Sequence, residues 1–274
     1  MTDPGQMQQE TNRVRHTYTL KISPPDKRDH LYLSKKRVLA PASLPPSCLE
    51  IVPKFPAPLD QGQIGSCSAN AGIEIRMYYV GPNSALLSRA AQYAWERDRD
   101  GTPLSQDAGS TIRTACQVLC DIGACPEADD PYGPATLSVE PSAQAKADAA
   151  VLKAKGYQLI TSVMLAKLAL VEGNPIDIGM KVYESMESPA VAKSGILPLP
   201  RRGEQLLGLH SVAIIGYDDN QVIGTNTGAF LVRNSWGAGW GNVQEYAGSF
   251  WMSYAAWGKG FGLPLVQEMR TISV

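Results

Sequence analysis

The chain has 274 residues, 25 Lys and Arg against 26 Asp and Glu, 44% hydrophobic residues and only 19% charged ones. That is too apolar for a disordered chain and long enough for one large or two modest domains around a buried core. A net charge of −1 gives no electrostatic footprint for nucleic acid or an anionic membrane, and no apolar run reaches the roughly 20 residues of a membrane-spanning helix.

Met1 to Tyr18 is polar and carries Gln, Glu and Arg where a signal peptide would place its apolar stretch, so nothing points to classical secretion. Residues 1–50 are rich in Pro and charge, as in Pro24-Pro25-Asp26-Lys27-Arg28-Asp29, Lys35-Lys36-Arg37 and Pro45-Pro46. They read as an extended arm over a body, serving as a regulatory segment or a latch. The alternative is a disordered leader over at least residues 1–15. Further on, Ala69, Ile73 and Met77 stand four apart and predict a helix from Cys67 to Val80, stopped by Gly81-Pro82-Asn83. Ser84 is the expected cap of a second helix to about Arg97; a third spans Ser110 to Asp121, and a fourth runs from Ser142 to Lys155 before Gly156.

Beyond Gly156 the texture is β-rich. Tyr157–Val163, Ile176–Tyr183, His210–Tyr217, Phe230–Asn234 and Gly248–Tyr254 are short, β-branched or aromatic runs separated by Gly and Pro. One helix near Leu165–Glu172 interrupts them. The order predicts an α+β protein of two lobes: residues 51–150 mainly helical and carrying Cys67, residues 151–274 β-rich and carrying His210 and Asn234.

Three segments carry chemistry. In Gln61-Gly-Gln-Ile-Gly-Ser-Cys67 a Gly-rich turn delivers a cysteine to a helix N-terminus, where the dipole and unpaired N–H groups favour a thiolate and can face an oxyanion. Gln61 is a candidate second oxyanion donor. A buried structural cysteine is the ordinary reading of Cys67 taken alone. Of three histidines, His16 and His30 lie in the polar arm, where solvated side chains are the default. His210 opens a buried strand and needs partners for its ring nitrogens. In Phe230-Leu-Val-Arg-Asn-Ser-Trp-Gly-Ala-Gly-Trp-Gly241, Asn234 ends a strand and can orient an imidazole through its side-chain oxygen, with Trp236 as a shield from water.

Cys67, His210 and Asn234, in that order, together with Gln61 and the Asn-Ser-Trp-Gly-x-Gly-Trp-Gly block at Asn234 to Gly241, resemble the papain-like (C1) cysteine peptidases over roughly residues 55–260. Asp107-Ala-Gly-Ser110 and Gly123-Ala-Cys-Pro-Glu127…Asp130-Pro-Tyr132 resemble that family's substrate-groove and Pro-Tyr segments. The wording is nearest the microbial and viral branch, which lacks a long inhibitory propeptide. The resemblance implies a papain-like fold with a helical lobe, a β-barrel-like lobe and a cleft between them.

It also implies an endopeptidase that acts through a Cys67 acyl-enzyme. His210 would be the acid and base, Asn234 its orienter, and Gln61 with the Cys67 N–H the oxyanion hole. Gly109 would bond the backbone of an extended substrate, and Gly179, Met180 and Leu209 would form a pocket for the side chain two positions before the cut, apolar or aromatic by preference. No cofactor or metal is implied, and the partner is a peptide or protein substrate, with no nucleic acid and no membrane.

Departures reshape this expectation without removing a catalytic group: Ser68 follows the nucleophile in place of Trp, Ile64 replaces a loop-stapling cysteine, and Leu209 replaces the frequent Asp or Asn before the histidine. Two further readings stay open on residues alone, a catalytically weak papain-fold scaffold or interaction protein, and a thioester-forming amidase or transglutaminase. Cys48, Cys116, Cys120 and Cys125 read as free thiols, with Cys120–Cys125 pairing as the alternative; a zinc site at Cys116 and Cys120 lacks two further ligands.

Overall fold

The helix that begins at Cys67 is the axis of the molecule. In the computed structural model, which describes residues 16–33, 44–242, 244–258 and 264–274, α1 spans Cys67–Val80 as its apolar spacing predicts. It is buried on all sides from Cys67 to Tyr78, beyond what a single stripe predicts. Polar residues on its other faces are satisfied inside the protein: Glu74 accepts the Leu59 N–H, Asn70 accepts from Arg89, and Arg76 donates to the Leu152 carbonyl.

Two more long helices complete this lobe. α2, Arg89–Arg99, starts later than expected, because Ser84 turns back to the Gly81 carbonyl and Ser88 is the cap, its Oγ accepting the Ala91 N–H. α3, Ile112–Asp121, is capped by Thr111, and α4, Ala143–Ala149, by Ser142; α4 stops short of the expected Lys155 and gives way to a 3-10 turn at Ala150–Leu152.

The other lobe is one sheet with two helices, α5 at Val163–Val171 and α6 at Pro189–Ser194. Its strands are β1 (Ser47–Cys48), β2 (Gly156–Leu159), β3 (Ile176–Tyr183), β4 (Ile196–Leu197), β5 (Leu206–Ile223), β6 (Asn226–Arg233), β7 (Ser249–Ser253) and β8 (Val266–Ser273). They lie in the order β2-β8-β3-β5-β6-β7-β4, with β1 added to β5; all pairs are antiparallel except β4 with β7. The fold is thus α+β with two lobes, as expected, but the barrel-like closure is corrected: the sheet runs from edge to edge. The arm offers a physical reason, since it covers the β2 edge. Tyr32 N–H donates to the Leu159 carbonyl and Leu159 N–H to the His30 carbonyl, so that edge needs no closing strand.

One apolar core joins the lobes, with Ile73 and Met77 of α1 and Ile112 and Leu119 of α3 against Ile176, Ile178, Val212 and Ile214 of β3 and β5. Burial of this kind contributes on the order of 25 cal/mol per Å² of apolar surface. The arm does not behave as one unit. Its last residues belong to the sheet through β1, while residues 16–33 run over both lobes; Lys35-Lys36-Arg37 and the leader 1–15 lie outside the described residues. Cys48, Cys67, Cys116, Cys120 and Cys125 are all free thiols, so Cys120 and Cys125 are not paired. Among the described residues no helix is long and apolar enough to cross a membrane, and no cluster of His, Cys, Asp and Glu could hold a metal ion.

Candidate active site

The Gly-rich turn before α1 is fixed at both ends, so the position of Cys67 is set before any catalytic partner is considered. Gly65 N–H donates to the Asp107 carboxylate at 2.9 Å, and Gln61 N–H donates to the Ser235 carbonyl at 2.9 Å. Ser66 leaves the helix end uncapped by its side chain, because its Oγ is engaged with the Tyr132 hydroxyl and Asn70 Nδ2. The first-turn N–H groups therefore stay available to the thiol or to an anion beside it.

His210, on β5, is fully buried, and its Nε2 lies 2.8 Å from Asn234 Oδ1. That oxygen also accepts the Ser235 N–H at 2.9 Å and can only accept, so Nε2 carries the proton and donates. Nδ1 is then the bare nitrogen, and it is buried with no hydrogen-bond partner among the described residues. Trp236 stacks on the imidazole with ring centroids 5.3 Å apart. Gln61 is held by its oxygen, which accepts the Ser235 hydroxyl at 2.5 Å, while Nε2 spends one hydrogen on the Ile64 carbonyl and keeps another.

Burial dominates the electrostatics. It pushes the Cys67 thiol up to about 12, against the opposing backbone N–H groups of Ser211 and Ser68. It pushes His210 down to about 4, although the bond to Asn234 favours the charged ring. Both shifts favour the neutral form of the group.

The arm packs directly on this site. His16, expected as a solvated surface residue, stacks face to face on Trp236 at 4.0 Å and thereby sits one ring away from His210. Tyr18 meets His210 edge-on at 6.1 Å and donates its hydroxyl to Glu187 at 2.5 Å. The Thr19 hydroxyl donates to the Gly65 carbonyl, and a Cβ at Gly109 would overlap the Thr19 carbonyl, so glycine is what lets the arm approach there. Leu20 is buried against Gly179 and Ile112, and Lys21 N–H donates to the Ser110 carbonyl at 2.9 Å. His30, by contrast, is exposed as expected.

The pocket residues divide. Gly179 faces Leu20 of the arm, and Leu209 is half-buried beside the strand position of Lys181. Met180 is a correction: on a pleated strand it turns to the face opposite Gly179, where it lines a small cavity with Tyr183, Met186 and Leu197. Gly109 also differs from expectation, since its N–H is already donated to the Tyr93 hydroxyl at 2.9 Å and is not free for a substrate. Sequence reasoning missed Tyr93, which clamps the groove, and Ser235, which orients Gln61; Ser235 stood inside a quoted motif, whereas Tyr93 had no local signal.

The fold places a cysteine at the N-terminus of α1 and a bonded histidine–asparagine pair on the sheet, the layout of a thiol hydrolase. Comparison with known proteins narrows the class. Residues 54–256 match the family described as papain family cysteine protease. A peptidase C1-like protein of Acanthamoeba polyphaga mimivirus is 30% identical over 260 residues, covering 85% of this chain and 81% of the relative. The crystal structure of xylellain, a cysteine protease from Xylella fastidiosa, superposes with a TM-score of 0.80 at 30% identity, covering 96% of this chain and 98% of that one. A Carica candamarcensis cysteine protease solved in complex with E-64 shares the fold at 19% identity and a TM-score of 0.59, covering 84% of this chain and 99% of its own. The chain belongs to the papain family of cysteine peptidases, and it is a hydrolase of peptide bonds.

Proposed function

We propose that Cys67 is the nucleophile of this peptidase and that His210 serves it through Nδ1. The observation that carries the reading is the bare, buried Nδ1, whose tautomer follows from the bond between Nε2 and Asn234 Oδ1. Nδ1 takes the thiol proton as sulfur attacks the scissile carbonyl, then gives it to the leaving amine, and a thioester remains. Water, activated by the same nitrogen, hydrolyses that thioester and restores the thiol. The Cys67 N–H and the remaining hydrogen of Gln61 Nε2 face the oxyanion. Replacing Cys67 with Ala should abolish both peptide hydrolysis and labelling by a thiol-directed epoxide; undiminished hydrolysis would overturn the assignment.

The arm, proposed as a unit separate from a helical lobe at 51–150 and a sheet lobe at 151–274, has two jobs in this reading. Residues 16–23 obstruct the cleft, which is supported by the contacts of Tyr18 with His210 and of Thr19 with Gly65 and Gly109. Residues 26–33 latch the arm to the body. Leu20 on Gly179 marks where a substrate side chain would sit, and its aliphatic surroundings favour an apolar residue two positions before the cut.

A further inference from the structure

Two carboxyl groups that this chemistry leaves unused are buried beside the thiol, one from each lobe. Glu96 on α2 is fully buried; its Oε2 accepts the Ser68 hydroxyl at 2.5 Å and its Oε1 accepts Gln92 Nε2 at 2.9 Å. Asp177 on β3 is also fully buried; its Oδ1 accepts the Ser211 hydroxyl at 2.5 Å, and its Oδ2 has no partner among the described residues. Ser68 follows Cys67 and Ser211 follows His210, and the backbone N–H groups of both serines approach the Cys67 sulfur. Each lobe thus has the same device: a buried carboxyl grips the hydroxyl of the residue next to a catalytic one.

We propose that Glu96 and Asp177 are positioning residues of the catalytic pair, each anchoring the serine that follows a catalytic side chain, and that negative charge on either opposes the Cys67 thiolate. The proposal rests on the reading of Cys67 as nucleophile. Short bonds to buried carboxyls fix the backbone at Ser68 and Ser211, and with it the N–H groups that meet the sulfur. The charge effect follows from Coulomb repulsion in an interior of low dielectric.

The surroundings favour neutrality of both acids at moderate pH. Glu96 faces Asp100 and Asp177; Asp177 faces Glu268, Arg270 and the Cys116 thiol, and Arg270 is already bonded to Asp29 and Glu268. On the other side of the pair, His210 faces His16. Burial pushes Glu96 and Asp177 up to about 8 each, so they hold their serines as neutral acids near neutrality and ionise above it. Ionisation then works against the thiolate, so the thiolate forms at a higher pH than it would without the two charges.

The test compares the rate of Cys67 alkylation by iodoacetamide in the full-length chain at about pH 6 and at about pH 10, resolved from the other four thiols by mass spectrometry. Glu96→Gln and Asp177→Asn keep an acceptor oxygen for the serine but carry no charge. Each should raise the rate at about pH 10 about threefold or more over the parent while leaving the rate at about pH 6 nearly unchanged; unchanged rates at about pH 10 in folded variants overturn the charge role. Ser68→Ala and Ser211→Ala supply the second measurement, smaller changes that the fold tolerates more readily. Each should lower kcat by about three- to tenfold with KM nearly constant, and unchanged kcat in both overturns the positioning role. Hydrolysis that survives Cys67→Ala would remove the underlying assignment instead; loss of hydrolysis there with unchanged alkylation rates and unchanged kcat removes this proposal alone.

Discussion

The two halves of the described arm are held by opposite kinds of contact. Residues 16–21 lie across the cleft on hydrogen bonds to backbone carbonyls, ring stacking and one inserted leucine, contacts that any extended peptide of suitable side chains could replace. Residues 26–33 use groups that a substrate would not match. Asp29 takes paired bonds from both Arg270 and Arg113, and above all the Arg270 guanidinium holds its carboxyl well below the usual carboxylate range, at about 2. Tyr32 is buried and donates its hydroxyl to Glu172 at 2.6 Å. The difference teaches that covering the cleft and attaching the cover are separate tasks, so either can be lost without the other.

Three experiments pull the halves apart. The largest effect is expected at the anchor: Asp29→Asn leaves the guanidinium groups of Arg113 and Arg270, 10% and 1% exposed, without their shared counter-charge. Unfolding in urea should show a loss of about 3 kcal/mol, the usual cost of breaking a buried ion pair from one side. A loss below 1 kcal/mol, roughly the value of a surface pair, would make the anchor superficial.

Next comes deletion of residues 1–23, which leaves Asp29 and Tyr32 in place. Peptide hydrolysis should rise about tenfold or more, because the competent open state is no longer a minor fraction. A protein that melts early and gains no activity would show that the cleft segment is structural.

The smallest effect concerns His16. Its burial on Trp236 lowers its pKa below the ordinary 6.5, although the Gly62 backbone, Glu187 and Asp60 favour the charged ring. Protonation is therefore easier when the arm is undocked. His16's contribution to docking is complete above about pH 6.5 and is lost as the pH falls through that value towards the lower docked one. Between about pH 7.5 and about pH 5.5 the labelling of Cys67 by a thiol-directed probe should rise several-fold relative to a His16→Phe variant, which stacks but does not titrate. Parallel profiles for the two proteins would show that His16 is not the titrating group.

How much could be read from the chain in advance depended on distance along it. Gln61, Cys67, His210 and Asn234 were legible because each sits in a short motif whose chemistry is local, and Trp236 came with Asn234. The helices α1 and α3 followed from spacing and stop signals, α4 only in where it starts, and β3 was read to its ends. β8 was not, since Gln267, Glu268 and Arg270 interrupt its apolar pattern, and only the folded partners Asp29 and Glu268 make Arg270 tolerable in the interior. His16 was misread for a similar reason: its ring partner is Trp236, and no local pattern links positions so far apart. The same holds for sheet closure, where the decisive contact with β2 comes from Leu31 and Tyr32 of the arm.

The Asp107–Tyr93 pair has a consequence for accuracy. Asp107 accepts the Gly65 N–H and the Tyr93 hydroxyl, and that hydroxyl in turn accepts the Gly109 N–H. The turn that delivers Cys67 and the strip along which Thr19 lies are therefore referenced to one carboxylate, like two scales cut on a single ruler. Thermal or mutational drift of that carboxylate moves both marks together, so the spacing between nucleophile and bound chain is preserved even when the absolute position of either is not.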